Sequence, residues 1–416
     1  PTPFDEAVSL IWYLENVFYH SVSGVYNYIQ SNIFNNQPIE TEIINLGFWP
    51  GGDRDGNPFM TTEITLDVAK RLKQTILKNY YRDIRLLKRH LTFAGVEESI
   101  AALEDILFEN SVSTEVNTMI PLNEFLGKLN DIREILISRH QSLYLEEIDD
   151  FINKVRLFGY HFATLDIRQD SRVHHDVFVQ TVKTLSEKGN AIFPENYLEL
   201  HEDQQIEILS KVSANVDLSI FEDEMTVKTL GSILAIKTIQ ENNGERGANR
   251  YIISNNQSAL NVMETFAMFN LCGFNHQLNV DIIPLFETID DLANATGVME
   301  KLYANSTYKN HLKNRNNKQT IMLGFSDGTK DGGYLMANWA IYQAKEKLTE
   351  ISRKNGIKVI FFDGRGGPPA RGGGKTHPFY ASLGPTIEDE EIQLTVQGQT
   401  ISSNFGTLDS AQFNLE

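Results

Sequence analysis

An α/β fold built on a parallel sheet is predicted by two features of the 416-residue sequence. Residues 1–160 carry apolar side chains mostly at helical spacing, whereas from residue 161 short β-prone runs alternate with helical stretches. Strands separated by helices form βα units and pair in parallel. The number of such runs then bears on whether the sheet is open and doubly wound or closed into a barrel.

Taken in chain order, residues 5–33 repeat apolar side chains every three or four positions. A short run, Ile43-Ile44-Asn45-Leu46-Gly47-Phe48-Trp49, follows and empties into Pro50-Gly51-Gly52-Asp53-Arg54-Asp55-Gly56-Asn57-Pro58, a loop sequence. Over residues 62–92, Val68, Leu72, Ile76, Tyr80, Ile84 and Leu87 mark a helix behind Thr62 as N-cap. Further helical patterns fill 97–160. The β-prone runs are 162–167, 250–254, 282–286, 320–325, 357–362 and 393–396. With the run at 43–48 they make seven candidate strands, one short of a (β/α)8 barrel of the TIM type. Doubly wound and barrel arrangements both remain open at this point. Two segments are predicted, a mostly helical block over 1–160 with one strand and the 51–58 loop, and βα units over 161–416. Long loops are expected at 189–222 and 363–390, the latter with a mobile glycine-rich stretch at 363–376.

Composition narrows the function. Hydrophobic residues at 41% and charged residues at 22% exclude wholesale disorder. The net charge of −18 disfavours a nucleic-acid or anionic-membrane surface, so any anion must be met by a local cluster of basic groups or metal. A single cysteine, Cys272, excludes a disulfide framework and reads as a small buried residue in a reducing compartment. No apolar run approaches the roughly 18 residues of a membrane span, and a cytoplasmic location is expected. Pro1 at one end, and a helix start at 407–410 just before Glu416, suggest an internal segment of a longer protein.

Polar residues gather where strands end. Arg168 follows Leu165-Asp166-Ile167, Glu287 follows Pro284-Leu285-Phe286, Asp327 follows Gly324-Phe325-Ser326, and Arg365 follows Phe362-Asp363-Gly364. In parallel α/β folds these ends share one side, where ligands bind. Two carboxylates there suit a hard cation, Mg²⁺ or Mn²⁺. Two guanidiniums beside it suit a phosphorylated carboxylic acid, gripped bidentately. Each residue has a plainer reading too: Glu287 and Asp327 as helix-start or turn acids, Arg168 as an ion-paired residue with Asp166 or Asp170. The run Gly-Arg-Gly-Gly-Pro-Pro-Ala-Arg-Gly-Gly-Gly at 364–374 can form neither helix interior nor central strand. Its backbone N–H groups can approach an anion. It is not a Walker motif, because Pro369 falls where the first glycine belongs and Pro378 where the helix should begin. His174 and His175 read as residues of a solvated helix, and His161 and His377 lack metal-ligand spacing.

These motifs together resemble the phosphoenolpyruvate carboxylase family along essentially the whole chain. Gly51 to Pro58 is similar to its GGDRDGNP, Leu165-Asp166-Ile167-Arg168-Gln169 to its LD-x-RQ segment, and Pro284-Leu285-Phe286-Glu287 to its PLFE. Gly324-Phe325-Ser326-Asp327 is similar to GYSD, Gly364 to Gly373 to GRGG…GRGG, and Val396-Gln397-Gly398 continues the match. The resemblance implies an eight-stranded barrel with many extra helices, a homotetramer when full-length, and conversion of phosphoenolpyruvate and bicarbonate to oxaloacetate and phosphate. It implies that Glu287 and Asp327 bind Mg²⁺ or Mn²⁺ and that Arg168 and Arg365 hold the phosphate. Arg371 would assist bicarbonate and the carboxyphosphate intermediate, with Lys330 in a supporting role. The family's essential histidine would lie upstream of Pro1 and a further arginine beyond Glu416, so the segment alone is expected to be inactive. Asp363 stands where the family usually has histidine, and an acid there would repel phosphate unless Arg365, Arg371 or the metal screens it. Two rival functions follow: another phosphoenolpyruvate-using metal-dependent barrel enzyme, or a degenerate module that only binds a metabolite.

Overall fold

The computed structural model describes residues 2–37, 39, 43–57, 59–112, 119–275, 277–364, 376–396 and 398–415. Helix α1 (Pro3–Tyr13) runs through a π-helical turn (Leu14–Phe18) into α2 (Tyr19–Asn32), making one rod of the predicted 5–33 pattern. Strand β1 (Gly47–Phe48) is only two residues long, shorter than the apolar run suggests. Helix α3 (Thr62–His90) buries the six predicted side chains, but its N-cap is Thr61, whose hydroxyl accepts from the Ile64 N–H. Helices α4 (Glu97–Val112), α5 (Leu122–Arg139) and α6 (Leu145–Phe158) follow.

Strand β2 (Thr164–Asp170) extends three residues beyond the predicted run, so Arg168 lies within the strand rather than after it. The chain continues through α7 (Ser171–Glu187), α8 (Glu202–Leu209), α9 (Glu224–Asn243), β3 (Arg250–Ser254), α10 (Ala259–Leu271), β4 (Asp281–Phe286), α11 (Ile289–Ala304) and α12 (Ser306–Asn314). It then forms β5 (Lys318–Gly324), α13 (Ser326–Lys354), β6 (Lys358–Gly364), α14 (Thr376–Ala381), β7 (Ile392–Leu394), α15 (Gly398–Asn404) and α16 (Leu408–Leu415). The predicted 189–222 loop is therefore broken by α8. A helix does begin at Thr376, because proline is tolerated in a first helical turn. His174 is fully buried against the Tyr251 hydroxyl, 2.8 Å away, not solvated; His175 is half-exposed.

Among the described residues seven strands, all parallel, pair in chain order, β1-β2-β3-β4-β5-β6-β7. A doubly wound sheet reverses its strand order; this one never does. It is the sheet of an incomplete (β/α)8 barrel, and that decides between the two arrangements. Alternation along the strands divides the core. Ile252, Ile283, Leu285, Met322 and Phe362 form a small cluster on one face, with Trp49 against it. Tyr251, Ile253, Ile282, Phe286, Ile321 and Phe361 turn to the other face and join the large core shared with the helices. Both faces are buried, hence the near-continuous apolar strands. Among the described residues no helix is long and apolar enough to cross a membrane.

Candidate active site

Register places the polar strand ends. Arg168 pairs with Ile252 across β2 and β3, and Ile252 with Ile283 across β3 and β4. Paired residues of a sheet share a face. Arg168 therefore lies on the side of the small cluster, and Glu287, four residues beyond Ile283, continues that row just past β4. Arg168 Nη2 stands 3.8 Å from Glu287 Oε1. Asp327 lies in the first turn of α13, beyond the neighbouring strand β5, and its charge acts on Glu287. A Cβ on Gly324 would come 3.1 Å from Glu287 Cα and Cγ, so glycine leaves room for this acid. Arg168, Glu287 and Asp327 thus meet; Arg365 and Arg371 lie outside the described residues.

The 51–57 loop completes the cradle. The Arg54 N–H donates to the Arg168 carbonyl at 2.9 Å, and the Arg168 N–H to the Gly52 carbonyl at 3.0 Å. This backbone pairing extends β1 along β2 and delivers two acids to the guanidinium. Asp55 forms a direct ion pair with Arg168 Nη2, and Asp53 Oδ1 lies 3.7 Å from Nε. Asp53 Oδ2 accepts from the Trp49 indole N–H at 2.8 Å, and the Arg168 guanidinium sits 5.6 Å from the Trp49 ring centre. Neither Asp166 nor Asp170 pairs with Arg168: they hold Arg250 and Arg172. Spacing alone could not reveal partners 113 residues apart, though two acids flanking an arginine in a glycine turn after a strand are a usable signal.

Burial dominates the electrostatics. It raises the carboxyl pKa of Glu287, against the Asn255 N–H (2.8 Å) and Arg168, and with help from Asp55 and Asp327. It raises Asp53 too, opposed by Arg168 and the Trp49 N–H. Burial alone would lower the Arg168 pKa; Asp53, Asp55 and Glu287 outweigh it, and the guanidinium is held more firmly charged. Lys330 donates to Asp327 Oδ1 at 2.8 Å from an exposed position, which raises its own pKa. Four acids (Asp53, Asp55, Glu287, Asp327) against Arg168 and Lys330 leave an excess of two negative charges among these described side chains.

That imbalance, and an all-oxygen donor pair on adjacent strand ends, fit one hard divalent cation. No three His, Cys, Asp or Glu side chains among the described residues gather to hold a metal unaided. Mg²⁺ needs no such cage, since it keeps waters and takes substrate oxygens.

A sequence model of the family described as Phosphoenolpyruvate carboxylase matches residues 1–120 and 96–416. This chain belongs to the phosphoenolpyruvate carboxylase family. It is 30% identical over 426 residues to the phosphoenolpyruvate carboxylase of Corynebacterium glutamicum, covering 90% of this chain and 46% of that protein. It is also 30% identical over 427 residues to that of Nitrosomonas eutropha, covering 91% of this chain and 45% of the relative. The chain therefore spans just under half the length of these curated relatives.

One expectation needs correction. Asp363 does not face the site. It alternates with Phe362, which joins the small cluster, and so turns to the helix side with Phe361. There it is fully buried, with the Lys345 ammonium 2.9 Å from each carboxylate oxygen and the Tyr380 hydroxyl 2.6 Å from Oδ2. Among the described residues, its charge is met by a helix-layer lysine.

Proposed function

We propose that this chain carries the phosphate- and metal-holding part of a phosphoenolpyruvate carboxylase site, which converts phosphoenolpyruvate and bicarbonate to oxaloacetate and phosphate. The observation that supports it is the convergence of Arg168, Glu287 and Asp327 from β2, β4 and β5 with two unbalanced negative charges. In this reading Glu287 and Asp327 hold Mg²⁺ or Mn²⁺, a cation that would supply positive charge where enolate oxygen develops. Arg168, pre-oriented by Asp53 and Asp55, presents its fork to the phosphate and exchanges one carboxylate partner for a phosphate oxygen. Lys330 pairs with Asp327 Oδ1, and with Asp327 holding a cation its ammonium would be free to face the anion. Arg365 would add a second guanidinium to the phosphate, and Arg371 would bind bicarbonate and carboxyphosphate, as the family resemblance implies. Residues 1–160 would serve as a helical block and 161–416 as the barrel's βα units, in a cytoplasmic homotetramer when full-length.

The test is phosphate release and oxaloacetate formation by purified protein carrying this chain, with Mg²⁺ and with bicarbonate present or removed. Both products should appear only with bicarbonate. Phosphate release without bicarbonate would point to a non-carboxylating barrel enzyme, and metal-independent phosphoenolpyruvate binding without turnover to a metabolite-binding module. Asp363 favours neither rival, since its charge is met by Lys345 on the far face of the sheet.

A further inference from the structure

We propose that Lys345, Asp363 and Tyr380 form a positioning clamp behind the sheet, which fixes the two ends of the chain between β6 and α14 relative to the site. Asp363 is the penultimate residue of β6, and Tyr380 lies in α14. One carboxylate therefore ties both stems, accepting from Tyr380 on one side and pairing with Lys345 on the other. Lys345 is 2% exposed and lies on the long second part of α13, beyond the non-helical break at Gly333 (φ 78°) that separates it from the first turn carrying Asp327. Its ammonium also lies 5.3 Å from the Phe361 ring centre and 5.6 Å from that of Tyr380. A third tie runs from the Thr395 N–H to the Asp363 carbonyl at 3.1 Å, joining the chain just after β7.

The chemistry favours positioning over catalysis. Asp363 and Lys345 are both buried on the helix side, so neither touches a ligand bound over Arg168 and Glu287. A buried ion pair is poor support for stability compared with apolar packing, and its better-attested use is to specify one arrangement. Here the arrangement specified is β6, α13 and α14 around a strand end, Gly364, that pairs with Gly324 beside Glu287. The proposal rests on the reading of that site as the phosphoenolpyruvate pocket, and makes Lys345, Asp363 and Tyr380 positioning residues for it.

The sharpest variant is Tyr380→Phe, which cuts the tie to α14 but keeps the ring and the Lys345–Asp363 pair. The expected result is a rise of about fivefold or more in KM for phosphoenolpyruvate with kcat within about twofold, the signature of lost binding rather than lost chemistry. Amide exchange over Thr376–Ala381 should quicken about tenfold. An unchanged KM in a folded, active Tyr380→Phe protein overturns the clamp, as does an equal fall in kcat. If that variant melts early, Lys345→Met/Asp363→Leu removes both side-chain ties of the carboxylate without stranding a charge and leaves the Thr395 backbone bond in place; it should show the same KM rise, and a wild-type KM would refute the proposal. Should the unmutated protein show no bicarbonate-dependent turnover, the functional reading fails by itself. The clamp is then decided by amide exchange in Tyr380→Phe alone, where an unaltered rate over α14 sinks it.

Discussion

Replacing Gly52 with alanine tests how the cradle is assembled. A Cβ at position 52 would lie 1.8 Å from the Asp166 carbonyl oxygen, where contacts under 3.0 Å are essentially never found. Both sides of the clash are backbone, so the loop must retreat by about 1 Å or more. The retreat stretches the Arg168 N–H to Gly52 carbonyl bond from 3.0 Å, and the Arg54 N–H to Arg168 carbonyl bond from 2.9 Å, past useful range. Two backbone bonds contribute roughly 2 kcal/mol together, and strain of the overpacked loop adds about 1 to 3. The expected loss is therefore about 3 to 5 kcal/mol in urea unfolding followed by circular dichroism. The loop's own response can be followed by Trp49 fluorescence, since that indole is bonded to Asp53. Gly56 provides the control: its φ is +67° but nothing lies within 4 Å of an added Cβ, so Gly56→Ala should lose only about 1 to 2 kcal/mol. Equal losses at the two positions, or less than about 1 kcal/mol at Gly52, would mean that close approach to β2 does not hold the loop.

Other perturbations probe single groups. Arg168→Lys keeps the charge but loses the fork, and should weaken phosphoenolpyruvate binding in the presence of Mg²⁺ by about tenfold or more in calorimetry; an unchanged Kd would remove Arg168 from the phosphate. Glu287→Gln should weaken Mn²⁺ binding, followed by paramagnetic resonance, at least about tenfold. Because burial already disfavours its ionised form, the same change should leave the melting midpoint equal or higher; a lower midpoint with intact Mn²⁺ affinity contradicts the assignment. His161, His174 and His311 are held by burial near a pKa of about 3. A base with a depressed native pKa contributes stability that is intact above about pH 6.5 and lost as pH falls toward 3, about 1.4 kcal/mol per unit for each. His174→Gln should therefore flatten the acid-side dependence of unfolding free energy by about one proton between pH 6 and 4, and an unaltered slope would show that His174 is not buried neutral.

Much of this was legible because buried parallel strands write themselves as apolar runs. Residues 250–254 are the strand predicted, and β4, β5 and β6 differ only at their ends. The seven-strand count was right, yet β1 is so short that its role passes to the loop backbone after it. The meeting of Arg168, Glu287 and Asp327 followed from strand direction alone. Their supporting groups did not, because Asp53, Asp55 and Trp49 reach Arg168 through tertiary pairing. Asp363 misled for a local reason. The family resemblance sets it where a histidine usually stands at the site, whereas period two, counted from Phe362, sends it to the other face. A signal for its partner was present: Lys345 falls in the stripe Ile341, Ala344, Leu348, all buried on α13, and a lysine on an apolar stripe requires an acid opposite.

The cradle around Arg168 also explains why four acids belong in a site proposed for an anion. A bare buried guanidinium would be costly to desolvate and free to swing. Asp53 and Asp55 hold it charged and oriented before any ligand arrives, so little is spent on ordering it later. The same acids repel a phosphate, and Lys330, exposed and committed to Asp327, cannot balance them. On the proposed reading, a divalent charge on Glu287 and Asp327 would cancel that excess of two and free Lys330, so attraction would appear only with the metal. Metal and phosphoenolpyruvate must then favour each other's binding by the same factor, because linkage between two ligands is reciprocal. If the proposed reading holds, the site would reject the anion without the metal, and the phosphate would be gripped only when the charge that stabilises its enolate is already in place.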